Sequence, residues 1–274
     1  MSEMPPEMFD HYSTGYEESR LSNDMGQLEF LRSQEIILRY FPEPFAKVAD
    51  IGGGPGAYSL WLARLGYEPH LIDATPLHVE QARKASASQP NHPLGSARVG
   101  DARRLDFEDA SFDAALLLGP LYHLTEREDR IRALSEARRI TRPGGVVLCA
   151  VISRFASTFD GIARFFLDDE EFQRIVERDL RDGLHRNLTN RPHYFTTAFF
   201  HHPQEIKSEV EEAGLLHEKN LPVEGPFWSF GELSEHWRDE GRRERLLGAI
   251  RSVENEESLI GASAHIIAVG RRAE

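Results

Sequence analysis

Two kinds of residue in this chain have types and spacing suited to chemistry: acidic side chains at the ends of apolar runs, and a glycine cluster directly behind the first of them. Val48-Ala49-Asp50-Ile51 is followed by Gly52-Gly53-Gly54-Pro55-Gly56. At the end of the first strand of an open α/β sheet, such a turn lets a ligand approach the backbone and meet the N-terminus of the next helix. A nucleotide-like ligand is therefore expected. Asp73 lies 17 residues beyond Gly56, and Asp101 follows Gly100, each at the end of a further apolar run. An anion at Asp50 repels a pyrophosphate but pairs with an ammonium group, so three carboxylates around one pocket suit a cationic ligand. Gly52, Gly54 and Ala57 also satisfy the dinucleotide fingerprint in its Gly-x-Gly-x-x-Ala form, which keeps an NAD(P)-dependent oxidoreductase as an alternative. Against it, the chain has no Tyr-x-x-x-Lys pair for proton transfer; an ATP-type P-loop is also missing.

These residues need elements to hold them. From Lys47 to Ile152, short apolar runs alternate with helix-like segments, the pattern of a parallel sheet flanked by helices. Strands are expected at Lys47–Ile51, Pro69–Asp73, Ala97–Gly100, Phe112–Leu118 and Gly145–Ile152. Crossover helices are expected over Tyr58–Leu65, ending at Gly66, and over Pro76–Ala87. Thr125 and Glu128 have capping-box spacing, and Ile131, Leu134, Ala137 and Ile140 form a stripe, so Thr125–Ile140 reads as a helix stopped by Arg142-Pro143-Gly144-Gly145. Beyond Ile152 the spacing of Phe159, Ile162, Phe166, Phe172, Ile175, Val176 and Leu180 predicts helices over Phe159–Arg181, followed by an irregular stretch, Asp182–His202. Pro203–Ala213 reads as a helix, Leu215–Val223 and Ser263–Gly270 as closing strands, and Phe230–Val253 as a second helical insert.

The glycine segment resembles motif I of the class I S-adenosylmethionine-dependent methyltransferases, in particular the small-molecule type similar to the ubiquinone/menaquinone biosynthesis enzymes. The family's other landmarks follow in order: Leu71-Ile72-Asp73, Gly100-Asp101-Ala102, Phe112 to Gly119, and Arg142-Pro143-Gly144-Gly145. The resemblance implies an α/β, Rossmann-like, doubly wound sheet of seven strands in the order 3-2-1-4-5-7-6, the last antiparallel, with helical lid insertions. It also implies S-adenosyl-L-methionine as cofactor. Asp73 would then hold the ribose, Asp101 and Ala102 the adenine, Leu118 would lie beside the transferring methyl, and the backbone of Gly52, Gly54 and Gly56 would approach the methionine portion. Tyr12 and Tyr16, at helical spacing, would fold over the sulfonium by cation–π contact. The division that follows is a helical segment over 1–40 covering the cofactor, a core over 41–153, a lid over 154–202, and completion of the sheet over 203–274 with a second insert at about 227–258.

The acceptor side begins at Gly119-Pro120-Leu121-Tyr122-His123-Leu124, which lacks the Asn/Asp-Pro-Pro-aromatic signature of enzymes that methylate an sp² nitrogen. His123 stands where a base would touch the acceptor, and neutral imidazole suits that task, although packing at the start of the next helix is an equal reading. His193 is a second catalytic candidate. Tyr122, Tyr194, His201 and Trp228 are expected to wall the pocket. No metal is expected, because His193, His201 and His202 lack an acidic ligand at suitable spacing.

Composition narrows the partners. The chain has 274 residues, with 32 Lys+Arg against 45 Asp+Glu and a net charge of −13. That balance gives little attraction to phosphate backbones or anionic lipid, so a small-molecule acceptor is expected, with no nucleic acid and no membrane. An RNA or protein acceptor is the rival within the enzyme class, and a silent cofactor-binding module the rival outside it. Cys149 is the single cysteine, which excludes intramolecular disulfides and Cys-based clusters. A cytoplasmic protein is expected, and a homodimer is left open.

Overall fold

In the computed structural model the described residues are 23–189, 191–229 and 233–274. The strands are β1 (Lys47–Ile51), β2 (Glu68–Asp73), β3 (Ser96–Val99), β4 (Phe112–Leu117), β5 (Thr141–Ser153), β6 (Leu184–His185), β7 (Ala198–His201), β8 (Leu216–Pro222) and β9 (His265–Arg271). The spanning strands lie in the order β3-β2-β1-β4-β5-β9-β8, parallel except for β9. Counting those strands alone, this is the expected 3-2-1-4-5-7-6 order with the last strand antiparallel.

Burial on both faces explains the apolar runs. Val48, Ala114, Leu116, Val146 and Leu148 point to one face, where they meet Ile36 and Ile37 of α1 (Asp24–Tyr40) and Tyr58 and Leu62 of α2 (Ala57–Arg64). The alternate residues Ala49, Ile51, Ala115, Leu117, Val147 and Cys149 meet α5 (Arg127–Ile140) and α8 (Pro203–Glu212) on the other. Between them in the chain come α3 (Pro76–Ala87), α4 (Pro120–His123), α6 (Ala156–Ala163) and α7 (Glu170–Asp182); α9 (Leu233–Arg238), α10 (Glu240–Val253) and α11 (Glu257–Ile260) fill the second insert. Among the described residues, no helix is long and apolar enough to cross a membrane.

Two expectations are corrected. The stretch Asp182–His202 is not irregular throughout, since β7 pairs with β5 at Ile152 and Ser153 and β6 folds back on β7. Ile152 also pairs with His265 of β9, and the amides of Ser153 and Arg154 bond to Ala264 and His201 respectively. Successive amides of an extended strand point to opposite edges, so β7 takes the edge that β4 leaves after Leu117. Two pairing residues leave no period-2 pattern to read. The second correction concerns α5, which starts at Arg127 rather than Thr125 and forms no capping box. The reason is Arg130, whose Nη1 donates to the carbonyls of Leu124 (2.9 Å) and Thr125 (2.8 Å) and fixes the approach to the helix.

Arg130 is the centre of a buried network. Its guanidinium donates to Glu209 on α8 at 2.8 Å and lies 3.7 Å above the Phe199 ring, while His201 Nε2 meets the same carboxylate at 3.2 Å. Although burial pulls the Glu209 pKa up, its His201 and Arg130 contacts hold it below the ordinary value. The network ties the segment leaving β4 to β7 and α8. Removing one partner strands a buried charge, so Glu209→Ala is expected to lower the unfolding free energy by about 3–5 kcal/mol. Urea denaturation measures this, and Arg130→Met combined with Glu209→Leu should recover part of the loss.

Candidate active site

The turn after β1 is shaped by what surrounds it. A Cβ on Gly52 would stand 2.7 Å from Pro120 Cδ, and one on Gly53 would stand 2.6 Å from Asp50 Oδ2. Gly54 has φ +56° and nothing within 4 Å of where its Cβ would be, so its face is open. Gly56 (φ 96°) is the N-cap of α2. A ligand can therefore come to the backbone at Gly54 while the neighbouring glycines press against protein.

Asp73, at the end of β2, anchors this turn: Oδ2 accepts the Gly54 amide at 2.9 Å, and Oδ1 accepts the Thr75 amide at 2.8 Å with His78 Nδ1 at 3.1 Å. Each carboxylate oxygen has more than one lone pair, so Asp73 can hold the turn and accept hydroxyl groups together. Asp101 pairs with Arg103 at 2.6 Å, and Arg103 continues to Asp129 at 2.7 Å. Its bond to Arg103 holds the Asp101 pKa below the ordinary value. Ala102 and Leu118 are partly buried against the two main core faces.

Asp50 departs from expectation. It does not face the ligand side as an open anion but lies buried beneath the turn, where it accepts the Ser59 hydroxyl at 2.7 Å. Burial pushes its pKa up to about 6, the Asp73 charge acts in the same direction, and the Ser59 bond opposes both.

On the far side of Gly52, α4 follows β4. A Cβ on Gly119 would lie 3.1 Å from the Gly52 carbonyl oxygen, so the two turns are in contact. This seats Tyr122 and His123 beside the glycine turn, with their rings 4.5 Å apart. The structure brings Phe195 to them as well, 6.3 Å from His123.

The other acceptor-side candidates are not gathered here. His193 is exposed and packs on Phe166 (5.2 Å) of the first insert. Tyr194 is buried with Phe172, Ile175 and Val176, and its hydroxyl donates to Asp169 at 2.8 Å. His201 is fully buried on Glu209. Trp228 is buried and donates from Nε1 to the Ala262 carbonyl at 2.9 Å. All are held by the packing of the inserts, where rings are large apolar surfaces before they are ligands. Tyr12 and Tyr16 lie outside the described residues. Sequence reasoning missed Ser59, Thr75, His78 and Arg103, each of which bonds a strand-end carboxylate close in sequence; the amides of Thr75 and Arg103 close Asx turns on the acid two residues before them, a local signal that was there to read.

Residues 49–149 match the methyltransferase domain family. A demethylmenaquinone methyltransferase of Streptomyces avermitilis is 33% identical over 146 residues, 52% of this chain and 58% of that protein. A probable tRNA methyltransferase 9B of Mus musculus is 33% identical over 112 residues, 40% of this chain and 22% of that one. The chain thus spans little more than half the length of the first of these relatives and less than a quarter of the second. In structure, an S-adenosylmethionine-dependent methyltransferase from Methanosarcina mazei superposes with a TM-score of 0.58 at 18% identity, covering 87% of this chain and 97% of the other. At that identity the likeness establishes the fold.

The raised pKa of Asp50 has a consequence for stability. Unfolded, its carboxyl ionises near the ordinary 3.8, whereas folded it keeps its proton up to about 6. The folded state therefore gains stability as the pH falls through about 6, and the gain is complete below the unfolded value. The difference corresponds to about 3 kcal/mol. Asp50→Asn is expected to melt above the wild type at about pH 8, the advantage shrinking toward about pH 4. Thermal unfolding across that range is the measurement, and a pH-independent difference would contradict the assignment.

Proposed function

We propose that this chain is a class I S-adenosylmethionine-dependent methyltransferase, a reading supported by its domain match and its fold, and that it moves a methyl group to a nucleophilic atom of a small organic acceptor. The observation that carries the reading is the open face of Gly54 beside the Asp73 carboxylate, both at the carboxyl ends of adjacent strands. S-adenosylmethionine is the cofactor, and it supplies an electrophilic methyl on a sulfonium. In this reading Asp73 accepts the ribose hydroxyls, the Asp101–Ala102 segment borders the adenine, and the Gly52–Gly56 backbone receives the methionine portion. Leu118 closes the side nearest the methyl.

The chain's own work is then positioning and exclusion of water, which in favourable cases contributes on the order of 7 kcal/mol. His123, beside the contact of the two turns, takes the proton that the acceptor gives up. A small acceptor is favoured by the aromatic surroundings of His123 and by the net charge of −13. An RNA acceptor is the second reading, favoured by the likeness to a tRNA methyltransferase over 112 residues. The cytoplasm is the compartment we propose.

Calorimetry with S-adenosylhomocysteine tests the cofactor assignment. Asp73→Asn is expected to weaken binding roughly 10–100-fold, the loss of hydrogen bonds to a charged acceptor; unchanged affinity would refute the ribose role. His123→Ala should leave that affinity intact and lower turnover by about 100-fold with any accepted substrate. For the RNA reading, tight tRNA binding that falls steeply with salt would displace the small-molecule acceptor.

A further inference from the structure

Phe195 has φ 66° and ψ −171°, a region of backbone space almost confined to glycine. A bulky residue stays there only where its surroundings determine it; here the Phe195 amide donates to the Pro192 carbonyl at 3.2 Å, and one side chain holds the carbonyl end. Asn187 Nδ2 donates to the Phe195 carbonyl at 2.8 Å and to the Arg191 carbonyl at 2.8 Å. The amide cannot be reversed, because its Oδ1 accepts from the Thr189 amide (3.0 Å) and the Thr189 hydroxyl (2.6 Å). Asn187 therefore reads two carbonyls with one end and two donors with the other, and fixes the backbone that carries the Phe195 ring.

The ring itself is backed as well as aimed. Behind it, His185 and Phe200 stack with centroids 4.6 Å apart, and Phe195 lies 6.0 Å from the first and 6.4 Å from the second. His185 is locked by Asp179 (2.8 Å) and by the Tyr194 carbonyl (2.8 Å). In front, the Phe195 plane is tilted 32° to that of His123 at 6.3 Å. β7 makes this approach possible, since it occupies the β5 edge beyond the end of β4, directly over α4.

We propose that Phe195 is the specificity-determining wall of the acceptor pocket, that Asn187 is its positioning residue, and that the pair selects acceptors with a flat aromatic or conjugated body. The inference rests on the methyltransferase reading above and extends it to the substrate class. A flat body gains dispersion and ring–ring contact against a preset aromatic wall without ordering it anew on binding. A small aliphatic amine has no such surface to offer.

The test uses the full chain loaded with S-adenosylhomocysteine, with 2-naphthol as the flat probe and ethanolamine as the aliphatic one. The wild type is expected to bind 2-naphthol and not ethanolamine, and Phe195→Ala and Asn187→Ala to bind 2-naphthol at least about tenfold more weakly. S-adenosylhomocysteine affinity should stay within about twofold in both variants. Phe195→Gly, which frees the backbone of its strain, should melt no lower than Phe195→Ala while losing 2-naphthol equally. Retention of 2-naphthol by Phe195→Ala, or a wild type that binds ethanolamine in preference, would overturn the proposal. So would a fall of cofactor affinity and melting temperature together in Asn187→Ala, which is the mark of a merely structural role. Failure of the wild type to bind S-adenosylhomocysteine would instead bring down the methyltransferase reading, a result distinct from losses confined to 2-naphthol.

Discussion

The site depends on one steric constraint: the turn after β1 must pass between Asp50 below, Pro120 beside it and Asp73 across from it, with no room for a side chain at Gly52 or Gly53. Because that turn touches the start of α4, the position of the glycine backbone also sets the position of Tyr122 and His123. The proposed in-line transfer requires a methyl donor and its acceptor to be held in close alignment. In that reading two turns in contact provide the alignment, and both rest on strands whose faces are buried.

The buried charges around this turn serve different ends. Asp50 is buried with the hydroxyl and amide of Ser59 as its partners and the Asp73 charge nearby, an arrangement that burdens the fold above pH about 6. Arg130 and Glu209 are different, since the carboxylate, two carbonyls and the Phe199 ring satisfy the guanidinium, and the gain is a fixed path from β4 to β7.

β5 links the core to the first insert. Its length lets it carry β9 on one edge while β7 follows β4 on the other, so an insertion of about fifty residues is not a loose cover but an extension of the sheet. The insert brings its own small core of Phe172, Ile175, Val176 and Tyr194, which is why several of its rings face inward while Phe195 turns toward His123.

The glycine-turn side of the candidate site was legible from local pattern. Glycines before a helix, carboxylates at strand ends and apolar runs of four to seven residues are consequences of short-range sterics and of burial on both faces, and they marked the strands and the helices flanking them, while the strand order and the roles expected of Asp73 and Asp101 came from the resemblance that those motifs carry. Only the tertiary structure decided the side around His123. Tyr194 packs inward while its neighbour Phe195, at a positive φ, lies toward His123, and the Phe195 carbonyl is bonded by Asn187, a contact eight residues away with no period to reveal it. The burial of Asp50 is of the same kind, because whether a strand-end carboxylate faces solvent or protein depends on where Ser59 and the glycine turn settle around it. Spacing along the chain fixes which way a regular element points its side chains; the direction of a residue in a turn or an insert is set by partners brought from elsewhere in the fold.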